Sequence, residues 1–174
     1  MALCLGSFLV FINLYAPQPL LPGLKETYDV STLGVSLLMS VSTLSLAMAL
    51  LVFGPLSDAI GREGIMRITL LMAGGCSIAL AFAPTFESLL LLRLLQGFVL
   101  GGLPAVAIAW MGDEFDKPAL LSAVGLYIGA NSLGGISGRI VGGAAAEGRR
   151  AYGGLLVGRV NNADWLRGVL ATAA

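Results

Sequence analysis

The sequence contains no histidine, and charged residues make up 11% of its 174 positions. Without histidine the chain offers no imidazole metal ligand and no imidazole proton relay. Ordinary soluble domains carry about 25% charged residues, many of which cover their surface. The formal net charge is zero, whereas surfaces that bind nucleic acid are strongly basic. The scarcity of charge therefore argues against a soluble domain and predicts no nucleic-acid partner.

Groups that carry out chemistry are also scarce. The two cysteines, Cys4 and Cys76, lie in apolar runs and have neither a metal-ligand spacing nor a redox spacing. No Gly-x-x-x-x-Gly-Lys-Ser/Thr loop occurs, so the sequence does not support ATP-driven activity. The apolar runs contain no pair of a nucleophile and a base. The sequence therefore predicts no enzymatic activity, no bound metal and no cofactor.

Apolar residues are abundant, at 57% of the chain. Five runs approach or exceed the length of about 18–20 residues that a helix needs to cross a hydrocarbon core of about 30 Å. In chain order these predicted spans are Ala2–Leu21, Ser31–Phe53, Ile65–Ala83, Ser88–Trp110 and Ala119–Gly142. We therefore predict an all-α membrane protein, a polytopic bundle of transmembrane helices in contact with bilayer lipid.

The predicted connections between the spans are short. They are Pro22–Val30, Gly54–Gly64, Pro84–Glu87 and Met111–Pro118. Short connections make successive helices antiparallel neighbours. One end of the bundle then holds Arg62, Arg67 and Lys117, and the opposite end holds Lys25. Because cytoplasmic loops are enriched in lysine and arginine, this distribution predicts a cytoplasmic N-terminus.

The connection between the second and third spans carries the most distinctive motif. Its backbone groups and charges cannot lie in lipid, where they would be unsatisfied. The motif reads Gly54-x-Leu56-Ser57-Asp58-x-x-Gly61-Arg62-x-x-x-x-Arg67. This pattern resembles the signature loop between helices 2 and 3 of the major facilitator superfamily of secondary transporters. The resemblance covers residues 1–143 and implies the first five helices of an N-terminal six-helix half, truncated before the sixth.

The resemblance implies that this loop takes part in gating. In the family the loop aspartate, here Asp58, caps or pairs with a neighbouring helix end and holds the inward-closed state. A carboxylate near a helix N-terminus is stabilising by about 0.3–1 kcal/mol. The alternative is a solvated turn whose charges only mark the cytoplasmic face.

The fourth span contains Arg93, the one charged side chain in the interior of the first four predicted spans. Arg93, Gln96 and Gly97 resemble the family's helix-4 motif, whose arginine is linked to proton coupling or substrate contact. An ionisable residue inside a membrane is a functional candidate. The alternative is an anchor, because Arg93 lies about 7.5 Å into its predicted span and its side chain is long enough to reach the interface.

The first span ends in a polar cluster of Asn13, Tyr15 and Gln18, beside Pro17 and Pro19. Proline frees backbone carbonyls, and polar side chains beside such breaks are common at transporter sites. The segment resembles a branch of bacterial efflux-type facilitators, the sugar or drug exporters, which implies that these side chains line a transport pathway. The alternative is a capped helix end at the membrane interface.

The fifth span partly resembles the helix-5 motif of drug/proton antiporters. Ala130-Asn131 stands where that motif has Gly-Pro, which makes Asn131 a further pathway candidate. Small residues at helical spacing on the last two spans predict close helix packing, as a rocking interface or as static contact. These glycines are Gly97, Gly101, Gly125, Gly129, Gly134, Gly135 and Gly138. Arg139, which follows them, is expected to be unpartnered.

The composition changes after residue 143. Residues 144–174 are rich in alanine, glycine and arginine and contain no apolar run long enough to span a membrane. Three interpretations remain open: a soluble tail, an amphipathic surface helix around Trp165, and translation out of frame after a break. The abrupt change at the place where the family has its sixth helix favours the last.

The resemblance implies secondary active export of a small organic molecule, by proton-coupled antiport, across a bacterial inner membrane. The first four predicted spans contain no Asp or Glu, so a proton-carrying carboxylate is Asp58 or lies outside them. A non-transporting membrane interaction or assembly subunit is the alternative. We expect the chain alone not to transport, because facilitators work between two halves and the C-terminal half would have to be supplied.

Overall fold

A computed structural model describes the backbone of residues 2–172 and the side chains of residues 2–148. Its α-helices are α1 (Ala2–Tyr15), α2 (Leu21–Tyr28), α3 (Thr32–Ile60), α4 (Arg62–Ala81), α5 (Phe86–Leu100), α6 (Gly102–Glu114) and α7 (Lys117–Thr172). A short 3-10 helix, Gln18–Leu20, joins α1 to α2. No strand occurs in this part of the chain.

Five segments among the described residues are long and apolar enough to cross a membrane, which confirms the predicted polytopic all-α bundle. They are span 1 (Ala2–Tyr28), span 2 (Thr32–Ile60), span 3 (Arg62–Ala81), span 4 (Phe86–Glu114) and span 5 (Lys117–Gly148). Spans 1 and 4 each contain two α-helices. Prolines lie at these breaks, at Pro17 and Pro19 in span 1 and at Pro104 in the first turn of α6. A proline removes a backbone donor and so interrupts the helical ladder.

Three of the four connections are shorter than the sequence predicts, because the helices continue beyond the apolar runs. The predicted loop Pro22–Val30 is wrong over most of its length: α2 occupies it, with Pro22 in the first turn, where the missing backbone donor costs nothing. The predicted loop Gly54–Gly64 is also wrong, since Gly61 alone separates α3 from α4. Gly61 has φ 97°, a backbone conformation that residues with a Cβ avoid.

Span 4 lies at the centre of the bundle. Of its membrane-length window 56% is buried, against at most 28% in any other span. Its helices contact span 2 on one side and span 3 on the other, whereas span 1 packs mainly on span 5. An apolar cluster that includes Val10, Ile65, Val106 and Tyr127 joins spans 1, 3, 4 and 5. The polar residues of span 4 therefore lie in the interior.

Helix α7 continues through the predicted boundary at residue 143 and ends at Thr172. The side chains from residue 149 onward lie outside the described residues. The three interpretations of residues 144–174, including the amphipathic helix around Trp165, therefore stay predictions.

Candidate functional site

An ion cluster joins three spans at the end of the bundle where spans 2 and 3 meet. Arg62, the first residue of α4, donates from Nη2 to Asp58 Oδ1 at 3.1 Å. Its Nη1 forms an ion pair with Asp113, near the end of α6. The Arg62 side chain is 22% exposed, whereas both carboxylate side chains are mostly exposed. One partly buried cation therefore ties span 3 to the ends of spans 2 and 4.

Helix geometry brings Asp58 to Arg62. Asp58 lies in the last turn of α3, four residues before Arg62, and the intervening Gly61 caps α4 without a side-chain hydrogen bond. Asp58 thus pairs with the first residue of α4 instead of capping its backbone. Ser57, which is buried, stabilises the same turn by donating to the Gly54 carbonyl at 2.7 Å.

Two further residues of the motif stay outside the ion cluster. Arg67 is 77% exposed and pairs with Glu63 on its own helix at 2.8 Å. Leu56 is a partly exposed side chain on α3. An exposed pair within one helix contributes only about 0.3–0.5 kcal/mol, so these residues do not tie spans together.

A buried polar network lies inside the bundle. Arg93 is 3% exposed and donates from Nη1 to Gln96 Oε1 at 2.6 Å, with a longer contact of 3.5 Å to the Asn13 carbonyl. Gln96 donates from Nε2 to Ser77 Oγ at 2.9 Å, and Ser77 Oγ lies 2.8 Å from Asn13 Oδ1. These four residues, which we call the buried polar network, connect span 4 through span 3 to span 1.

Burial does not fit the interpretation of Arg93 as an interface anchor. Its side chain points into the bundle, where an unpaired charge costs several kcal/mol. The ion pairs formed within residues 2–148 do not include Arg93. Its Nη2 has no hydrogen-bond partner among these residues. The geometry therefore leaves a buried cationic donor available to a ligand or to a group from another part of the protein.

Sequence reasoning misses Ser77, the residue that links the two amides of the network. The structure brings the other three members together, and all three are predicted pathway residues. The signal for Ser77 is weak: it extends a stripe of small residues on α4, in which Thr69 and Ala73 precede it at four-residue spacing and are buried. Four-residue spacing keeps side chains on one helix face.

Glycines let span 4 lie directly against span 2. A Cβ built at Gly97 would lie 2.8 Å from Ser42 Cα, and one at Gly101 would lie 2.5 Å from Ala49 Cβ. Neither position therefore has room for a side chain. The hydroxyl of Ser42 lies 3.2 Å from the Arg93 carbonyl. This close contact fixes the turn of span 4 that carries Arg93.

Span 5 lies against span 1 in the same way. A Cβ built at Gly134 would lie 2.6 Å from the Phe8 carbonyl oxygen, and one at Gly138 would lie 2.7 Å from that of Ile12. Gly142 makes the same kind of backbone contact one turn further on. The two backbones therefore touch without intervening side chains, as small residues allow in membranes.

Gly125 and Gly129 make no close contact within the part of the chain that the structure describes, so the packing predicted for them stays a prediction. No neighbouring atom lies within 4 Å of a Cβ built at either position. At about 100° per residue, Gly125 is rotated by about 180° from Gly134 around span 5. Gly134 lies on the face that makes the backbone contact with span 1. The earlier glycines lie on another face, where Gly129 lines a groove that also includes Cys4 and Leu5 of span 1.

A second set of polar contacts joins spans 1 and 5. Ser7, which is fully buried, donates a hydrogen bond to Asn131 Oδ1. Arg139 donates from Nε to Gln18 Oε1 at 2.9 Å, and its guanidinium carbon lies 4.9 Å from the centre of the Tyr15 ring. The expectation that Arg139 is unpartnered is therefore wrong. Its partners lie on another helix, which sequence spacing does not reveal.

The predicted pathway residues thus form two groups. One is the buried polar network, and the other is the span 1–span 5 contact. Among residues 2–148, no group of three or more Cys, Asp or Glu side chains is placed to hold a metal ion. The arrangement offers polar binding groups inside a bundle of membrane-spanning helices.

Comparison with known proteins agrees with this geometry. The profile of the Major Facilitator Superfamily matches residues 3–153. The chain belongs to this family. The uncharacterized MFS-type transporter YybF of Bacillus subtilis is 44% identical over 142 residues, which are 82% of this chain and 35% of YybF. The inner membrane transport protein YnfM of Escherichia coli is 37% identical over 147 residues, 84% of this chain and 35% of YnfM.

More distant relatives of this facilitator chain include a fungal protein. The efflux pump FUB11 of Gibberella moniliformis is 35% identical over 119 residues, which are 68% of this chain and 19% of the pump. This chain spans about a third of the length of YybF and of YnfM. The residues that match the family profile include those of the ion cluster, of the buried polar network and of the span 1–span 5 contact.

Proposed function

We propose that this facilitator chain forms part of a secondary transporter that exports a small organic molecule across a bacterial inner membrane, in exchange for protons. The observation that carries the proposal is the buried polar network. It places Arg93 among polar groups from three spans of a membrane bundle. Ionisable groups inside membranes are expensive and mark substrate or ion pathways.

The relatives support the finer parts of this proposal. FUB11 is named an efflux pump, which supports export, and YnfM is named an inner membrane transport protein, which supports the membrane. Antiport is supported by the partial likeness of span 5 to the helix-5 motif of drug/proton antiporters.

The ion cluster supplies a mechanism for gating. Asp58 and Asp113 both hold Arg62, and they belong to spans 2 and 4. Breaking either ion pair would weaken the contact among three spans and favour opening of this end. This makes Asp58 and Asp113 the proposed gating residues of the described chain.

The pathway is proposed to be completed by a C-terminal half. YybF and YnfM are each about three times as long as the segment they share with this chain. Facilitators bind substrate near the midplane between their halves and rock one half against the other. We therefore expect the 174-residue chain, reconstituted alone into liposomes, to show no saturable gradient-driven flux.

The proposal is tested with a chimera in which residues 3–143 replace the matching part of YnfM. Inside-out vesicles from cells that lack YnfM are energised by respiration, and acridine orange reports the acidity of their lumen. A panel of small organic anions, cations and neutral compounds is then added. The acidic lumen quenches acridine orange. If the chimera is an antiporter, at least one compound should enter the vesicles in exchange for protons, and the fluorescence should rise again.

Native YnfM, assayed with the same panel, is the positive control. A chimera that reaches the membrane at the level of YnfM but moves no compound that YnfM moves would contradict transport. That result would favour the membrane assembly subunit. Accumulation that persists after the proton gradient is collapsed would contradict proton coupling.

A further inference from the structure

A groove runs along the contact between spans 1 and 5. It has a volume of about 250 Å³, and its lining includes Phe11, Tyr15, Asn131, Ile136 and Arg139. The rings of Phe11 and Tyr15 are stacked, with their centres 6.3 Å apart and their planes inclined by 25°. The groove therefore has an aromatic wall, made of two stacked rings, and a guanidinium group in one place.

Contacts with span 1 orient Arg139 but leave its charge unneutralised. Its Nε is bonded to the amide oxygen of Gln18, and its guanidinium lies over the Tyr15 ring. Both partners are uncharged. Among residues 2–148, no carboxylate pairs with Arg139, and its two terminal amino groups donate to no protein atom. The forked pair of donors that binds carboxylates best is therefore open to the groove.

Asn131 adds a second donor to the same groove. Its Oδ1 accepts the hydrogen bond from Ser7, which sets the orientation of the amide. The Nδ2 group is then left as a donor, and no acceptor among the described side chains takes it. Arg139 and Asn131 lie eight residues apart on α7, and both line this groove. Both donors are suited to anionic oxygens.

We propose that this groove is a subsite for an organic anion that has a flat apolar body, such as an aryl carboxylate. The carboxylate would accept two hydrogen bonds from the terminal amino groups of Arg139. The ring would lie against the Phe11–Tyr15 wall in an offset or edge-on arrangement. The proposal rests on the proposed transport function and narrows its substrate to anions.

The charge distribution of the spans supports an anion. Arg93 and Arg139 are the charged side chains in the interior of the described spans. The Asp and Glu side chains of residues 2–148 lie at the ends of helices or in the connections between them, except for Glu147, which lies about two turns beyond Arg139 on α7 and forms no ion pair with it. A cationic ligand would meet repulsion from Arg93 and Arg139, and such repulsion is what selects against a wrong ligand.

The first experiment measures occupancy at Arg139 directly. The full 174-residue chain in phosphatidylcholine vesicles is treated with phenylglyoxal, which modifies arginine, and mass spectrometry gives the rate at each arginine. Benzoate is expected to slow modification of Arg139 several-fold. Benzamide has the same ring without the charge and is expected to protect little. Arg67, exposed at the other end of the bundle, should be modified at the same rate throughout.

Several outcomes would overturn the proposal. They are no protection by benzoate, equal protection by benzamide, and equal protection of Arg67. Protection by added phosphatidylglycerol, with none by benzoate, would assign the groove to a lipid headgroup and would also overturn it. Because the reagent reports on the unaltered chain, the result does not depend on whether a variant folds.

The second experiment compares variants in the binding of radiolabelled benzoate. Arg139→Gln is expected to weaken binding by about tenfold or more, and Arg139→Lys by less, because lysine keeps the charge but loses the fork. Arg67→Gln removes the same charge elsewhere and should bind like the wild type. Equal affinity of the wild type and Arg139→Gln would contradict the subsite.

These binding measurements need no ion gradient, so they separate this proposal from the proposed function. Benzoate binding at Arg139, combined with a chimera that moves nothing, would support the subsite and contradict transport. A chimera that exports only cations would support transport and contradict the subsite.

Discussion

Arg93 donates a hydrogen bond of 2.6 Å to the side-chain oxygen of Gln96, three residues further along span 4. Residues three apart lie on one face of a helix, so the Arg-x-x-Gln spacing alone permits this pair. The spacing does not predict the next contact, in which the side-chain amide of Gln96 donates a hydrogen bond to the hydroxyl of Ser77 in span 3. Arg93 is thus held by a residue of its own helix, and that residue is held by a hydrogen bond to span 3.

Substitution of Arg93 tests whether its charge matters more than its bulk. In the YnfM chimera, Arg93→Lys should retain more transport than Arg93→Gln, because lysine keeps a cation in the network. A hydrogen bond to a charged group contributes about 1.5–3 kcal/mol, so its loss in Arg93→Gln is expected to lower transport by about tenfold or more. Initial rates are measured in inside-out vesicles at equal protein levels. Equal rates for the wild type and Arg93→Gln would leave the residue without a functional role.

Substitution of Asp58 tests the ion cluster. Asp58→Asn removes one of the two carboxylates that hold Arg62, so we expect a several-fold loss of transport in the chimera with normal membrane insertion. Glu63→Gln is the matched control, because it breaks an exposed pair within one helix that contributes about 0.3–0.5 kcal/mol. Similar rates for the two variants would show that Asp58 is only a charge on a solvated turn.

Cysteine labelling tests the orientation of the bundle. In a chain whose Cys4 and Cys76 are replaced by alanine, a cysteine at Ala59 should resist a membrane-impermeant maleimide added to intact cells, because that end is predicted to be cytoplasmic. A cysteine at Thr27, exposed near the opposite end of the bundle, is the control and should react. The reverse pattern would invert the topology.

Two glycine variants test the contact between spans 1 and 5. Gly138→Leu places a side chain where a Cβ would already lie 2.7 Å from the Ile12 carbonyl oxygen. Overpacking of this kind costs about 1–3 kcal/mol, so the thermal midpoint in detergent should fall. Gly125→Leu is the control, since no atom of the described residues lies within 4 Å of a Cβ built at that position, and its midpoint should hardly change. Equal losses would mean that both glycines act through the helix backbone and not through packing.

The centres of the spans could be predicted from the sequence, because the length of each run of apolar residues can be read from it directly. The helix ends could not. Residues Gly54 to Ile60 look like a loop because they contain glycine, proline and charge, yet α3 continues through them to Ile60. A polar helical turn and a polar loop are both compatible with water, and local composition does not separate them.

The partners of the polar residues were predictable only in part. Motifs on single helices point to Asn13, Arg93 and Gln96, which the structure brings together. Ser77 belongs to no motif, and the partner of Arg139 lies 121 positions away, at Gln18. Contacts of that kind depend on which helices are neighbours, and one sequence without relatives carries no direct record of this.

The backbone contact at Gly134 and Gly138 has a mechanical consequence. No layer of mobile side chains separates the two helices there, so sliding one along the other would drive the carbonyl oxygens of Phe8 and Ile12 into the next Cβ atoms of span 5. We therefore expect spans 1 and 5 to move as one rigid unit, so that a displacement where Arg139 meets Gln18 is carried along α7 towards Lys117, about thirty ångströms away.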